Sequence, residues 1–168
     1  MIKDVKFAVK IASSPEKIFS EIHKKTFDGA LYFYVKMLIF SALAAAVWSF
    51  VFSMLKAAYY QAFLNAGVQY LRLMNYSLGK SVSISFLFVF AGTFLLFPIA
   101  SMFKPFFRDI PYLDYLKIVI YSTAPILLFG WISFSLIPLF IWVLFIFFVG
   151  VKSYKADFSK KGTIRQRD

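Results

Sequence analysis

Paired carboxylates, a Ser–His–acid set, clustered metal ligands or a Gly-rich phosphate loop would each announce a chemistry. This sequence holds almost none of them. It has no Cys and a single His, which excludes disulfides, thiolate chemistry and a multi-histidine metal site. That residue, His23, sits among Lys17, Glu21, Lys24 and Lys25 and reads as a solvated side chain. The nearest acid pair, Asp109 and Asp114, brackets Pro111. That spacing fits a turn in which the acids balance Arg108 and Lys117. The reading assigns no catalytic residue, no cofactor and no metal ligand, and expects a protein that is not an enzyme.

The remaining polar residues have the spacing of helix packing. Ser41, Ala45, Ser49 and Ser53 recur every four residues. Such a small-residue stripe lets helices approach closely and hydrogen-bond, either inside one bundle or as the seam of an oligomer. Pro98 and Pro125 fall inside apolar stretches, where each removes a backbone donor and kinks its helix. Thr93, Ser122 and Thr123 lie close enough in sequence to bond the freed carbonyls.

The elements that carry these residues are set by composition. Of 168 residues, 61% are hydrophobic and 16% charged, against about 45–50% and about 25% in soluble domains. One core cannot hide so much apolar surface, so the expected fold is an all-α transmembrane bundle. The expected spans are about 31–55, 82–103, 113–131 and 135–151. The last two share the uncharged run from Ile118 to Val151. As a single helix that run would measure about 50 Å against a hydrocarbon core of about 30 Å. It therefore folds back at Gly130–Ser135, and Pro138 opens the next helix.

Charge sets the ends. Lys and Arg number 19 against 8 Asp and Glu, a net charge of +11. The bases gather in residues 1–30, read as a cytoplasmic amphipathic segment, and in 152–168, read as a basic cytoplasmic tail, on either side of a 31–151 transmembrane domain. The positive-inside rule accounts for them without nucleic acid. Ser13 and Glu16 have capping-box spacing, and helices over 1–12 and 13–27 each separate lysines from apolar residues. They suit an anionic inner leaflet, with Lys3, Lys6, Lys10, Lys24, Lys25, Lys152 and Lys155 as headgroup contacts, or a cap packed on the spans. The first twelve residues lack an apolar core, so no cleaved leader is expected. Residues 57–74 have a helical pattern, either at the outer interface or as a fifth, tilted span.

Three short stretches resemble one family. Ser14-Pro15-Glu16-Lys17-Ile18-Phe19 before an apolar span, Tyr121-Ser122-Thr123-Ala124-Pro125, and Gly150-Val151-Lys152 are similar to segments of Yip1-domain membrane proteins. The resemblance implies structural roles for Tyr121, Ser122, Pro125 and Gly150. It implies a compact, prokaryotic-type member acting in membrane organisation through protein and lipid contacts; a prokaryotic plasma membrane is the expected location, and the charge bias with four spans puts both termini in the cytoplasm. The family's eukaryotic relatives associate with prenylated Rab GTPases and shape vesicles, and commonly have five spans where four are expected here. The rival readings are a small oligomeric channel or transporter and an accessory subunit of a larger membrane complex. Expected partners are membrane lipids and a second copy or another membrane protein, with no nucleic acid.

Overall fold

The structure is a computed structural model that describes residues 2–22, 25–64, 70–132 and 136–165. Among these every regular element is helical: α1 (Ile2–Ser13), α2 (Pro15–Ile22), α3 (Phe27–Leu64), α4 (Tyr70–Phe103), a 3-10 turn (Lys104–Phe107), α5 (Tyr112–Ser122), α6 (Ala124–Phe129) and α7 (Leu136–Arg165). Four stretches are long and apolar enough to cross a membrane: 27–63, 72–107, 112–129 and 137–156. The third is α5 and α6 together. Thr123 separates them, and Pro125 stands in the first turn of α6. Its missing N–H is least costly there, so it divides the span instead of kinking an unbroken helix. Ser122 and Thr123 bond the carbonyls of Ile118 and Ile120 at 2.7 Å each.

Two expectations are corrected. Residues 57–74 form neither a separate interfacial helix nor a fifth span: α3 continues to Leu64 and α4 begins at Tyr70, with 65–69 outside the described residues. Lys56 to Leu64 contains no Gly or Pro, and nothing in that stretch stops a helix. The capping box at Ser13 is also absent. Ser13 ends α1 and its hydroxyl bonds back to the Lys10 carbonyl at 3.4 Å, while Pro15 opens α2. The basic tail is helical as far as Arg165, a continuation of α7.

Helix α3 carries the assembly. It has 38 residues, about 57 Å of helix against a hydrocarbon core of about 30 Å. Antiparallel α4 lies along it, fixed by Tyr34 Oη donating to the Gly92 carbonyl at 2.7 Å and Ser85 Oγ to the Ala42 carbonyl at 3.0 Å. Gly92 leaves room at the first contact, since a Cβ there would push aside the Leu38 side chain. On another side of α3, the single Ser41 hydroxyl proton is shared between the carbonyls of Met37 and of Leu127 in α6. Trp48 meets Trp131 with ring centroids 5.7 Å apart, which marks how far along α3 the α6 end reaches. Helix α3 runs on past that point for 16 residues, about 24 Å, with α4 beside it.

The N-terminal helices complete the core. Ala8 and Ile11 of α1 and Phe19 of α2 are fully buried. Helix α1 lies across α3, α5 and α6, and α2 lies on α7. Trp142 Nε1 of α7 donates to the Ala12 carbonyl at 3.1 Å. Ala8, Ile11 and Phe19 thus pack on other helices of the chain, while Ile2 and Val9 stay exposed alongside Lys3, Lys6 and Lys10.

Candidate functional site

The functional candidates converge at the end of the bundle where α1, α2, α5 and α7 meet. Tyr121, one per cent exposed, anchors an aromatic group there. Its ring lies 5.8 Å from that of Phe7 in α1 and 5.3 Å from that of Phe33 in α3. Phe7 stands edge-on to Phe33 at 5.5 Å. Three elements far apart in sequence are thus locked by edge and tilted ring contacts. Above them the Lys25 ammonium sits 3.6 Å from the centroid of Phe7, a cation–π contact. Partial burial pushes the Lys25 pKa below the ordinary lysine value, since desolvation penalises its charged form.

Gly150 makes the second junction. A Cβ at this position would come within 2.7 Å of the Phe19 ring and 2.8 Å of Ile118 Cγ2. Phe19 comes from α2, Ile118 from α5 and Gly150 from α7. The missing side chain is what lets three helices touch.

The few charges are paired across elements. Lys117, only 8% exposed, bonds Asp114 at 2.6 Å and the Lys25 carbonyl at 3.3 Å. Tyr154 of α7 donates to Asp114 at 3.2 Å. Asp109 pairs with Lys155 of α7 at 3.2 Å, a partner its sequence neighbourhood does not suggest. Lys36 of α3 faces Asp4 of α1 at 3.6 Å. These ties are structural, and the pair at Asp114 can be weighed. Asp114→Asn leaves the buried Lys117 ammonium without its counter-charge. Because Asp114 is 29% exposed, the loss should be about 1–2 kcal/mol, below that of a fully buried pair. Melting of the detergent-solubilised variant measures it. Adding Lys117→Met should recover most of the loss, and no recovery would mean that the charge is not the cause.

The expected seam residues differ in their surroundings. Ser41 faces α6, through its bond to Leu127, and Ala45 is 3% exposed. Ser49 and Ser53 are half-buried. The matching stripe on α4, Ser77, Ser81 and Ser85, was missed by the sequence reading. Ser77 and Ser81 are buried and Ser85 bonds across to α3. The signal was the same four-residue spacing.

Of the expected headgroup lysines, Lys3, Lys6, Lys10, Lys25, Lys152 and Lys155 are exposed. Lys155 is already paired with Asp109, and Lys24 lies outside the described residues, as does His23. Ser122 and Pro125 are buried, and the Ser122 hydroxyl is spent on Ile118. Among the described residues no three His, Asp or Glu side chains gather around a common point. Compared with protein-family models, with curated proteins and with solved structures, the chain matches none.

Proposed function

We propose that this is a multi-span membrane protein without enzymatic activity, which organises membrane through contacts with lipid and other proteins. One observation carries the reading: the apolar surface is turned outward while the interior hydroxyls, Ser77 Oγ of α4 excepted, are bonded within the fold among the described residues. None of the apolar window of α4 is buried within the chain, against 61% of that of α5 and α6. Phe86, Phe90 and Phe94 of α4 stack on one another while exposed. Inside, the hydroxyls of Tyr34, Ser41, Ser85 and Tyr115 are bonded to backbone carbonyls of neighbouring helices. Such a molecule offers contact surface more than a site for chemistry.

The Yip1-like reading belongs to this proposal. Its support is that two of the three resembling segments meet, where Phe19 lies against Gly150. The charge distribution supports both termini facing the cytoplasm. Cysteines placed at residues 5 and 165 should resist impermeant labels added outside intact cells, and labelling of either overturns the topology.

The functional test is reconstitution. Liposomes carrying the purified protein should pass no solute in a selective, saturable way, and cross-linking in native membranes should trap a reproducible protein neighbour on α3 or α4. Saturable flux would overturn the contact reading in favour of a transporter.

A further inference from the structure

We propose that the cleft between α1 and the start of α3 binds the headgroup phosphate of an anionic phospholipid. The inference rests on the membrane reading above and names a specific ligand site within it.

The cleft has a volume of about 500 Å³, with Lys3, Lys25, Phe7, Tyr32 and Tyr121 in its lining. Lys3 comes from α1 and Lys25 from the segment before α3, so the fold places two lysines around one cavity. Among the described residues no carboxylate forms an ion pair with either, although Glu21 and Asp4 lie near enough to Lys25 to favour its charged form. Asp4 also lines the cleft and would repel an anion, but its charge is balanced by Lys36. Lys25 is held over the Phe7 ring and partly desolvated, a state that a bound anion relieves. Phosphate is the natural partner of clustered lysines. Gly29 at the first turn of α3 adds little, because its N–H already faces Thr26 Oγ1 at 3.3 Å. Recognition rests on the two lysines.

The surroundings select a lipid over a free anion. Tyr32, Val35 and Ile39 are 64%, 45% and 48% exposed. At that spacing they follow one face of α3, leading away from the cleft along the apolar helix. A phosphate seated between the lysines would place its acyl chains on that face. Phe7, Phe33 and Tyr121 give the cleft an apolar side beside its lysines, where the glycerol end of a lipid can rest.

The test uses the full chain in detergent and in nanodiscs, titrated with phosphatidylglycerol and with phosphatidylcholine and followed by native mass spectrometry and thermal melting. Wild type should bind phosphatidylglycerol in preference to phosphatidylcholine. Lys3→Gln with Lys25→Gln should weaken that binding by about tenfold or more. The equally charged control, Lys56→Gln with Lys80→Gln at the far end of α3 and α4, should leave it unchanged. Lys25→Arg should retain binding, and if Lys25→Gln unfolds, Lys3→Gln alone carries the test by a smaller loss. Equal binding of phosphatidylcholine, an equal loss in the control, or displacement by millimolar inorganic phosphate would overturn the proposal. Failure to enter nanodiscs would instead defeat the membrane reading.

Discussion

Gly150→Leu destabilises the protein by about 3 kcal/mol and separates α2 from α7. The first Cβ atom already overlaps the Phe19 ring and Ile118, and neither neighbour can swing away, since both are at most 1% exposed. Leucine adds three further carbons to the same space. Its better helix propensity returns at most about 1 kcal/mol over glycine, too little to offset the overlap. Thermal melting in detergent reads the loss. The specific check is Phe19→Ala in the same chain: removing the ring makes room, so the double variant should be more stable than the sum of the two single changes implies. Simple additivity would mean that Gly150 matters for some reason other than the α2 contact. Gly150→Ala should show the same effect at smaller size.

Tyr121→Ala should cost about 3–4 kcal/mol. The ring is almost wholly buried and touches both Phe7 and Phe33, so truncation opens a cavity bounded by three elements that cannot all close on it. The loss is local in kind. Helix α1 is held at this point chiefly by Phe7, so protease should cut the N-terminal segment of the variant faster than that of wild type. Tyr121→Phe keeps both ring contacts and should stay within about 0.5 kcal/mol of wild type. If the alanine variant melts like wild type, the aromatic group does not tie α1 to the bundle.

Both predictions concern residues whose identity stood out in the sequence, yet the reason for each lies in the fold. Composition alone determined that the chain is helical and apolar enough for four membrane crossings, because 61% hydrophobic residues cannot be covered by one small core. The third and fourth helices were legible as a pair, since no single helix of that length fits a bilayer. The four-residue spacing of Ser41, Ala45, Ser49 and Ser53 was legible as packing, because helical periodicity is a local property.

Tertiary structure decided what those local features meet. Periodicity says that α1 and α2 have an apolar face, but a lipid surface and the side of α5, α6 or α7 satisfy that face equally well; only packing shows that Ile11 and Phe19 are buried by protein. Long-range charge pairs behave the same way. Asp109 has Arg108 as its sequence neighbour, but the path of α7 brings Lys155 to it, and the path of α1 brings Asp4 to Lys36. The end of α3 differs for the opposite reason: the helical pattern over 57–74 suggested a separate interfacial helix or a fifth span, whereas helix termination depends on breakers, and none occurs between Lys56 and Leu64. The sequence thus determined which surfaces are apolar and how they repeat. Only the folded chain determined their partners, because burial is a relation between segments and no segment carries it alone.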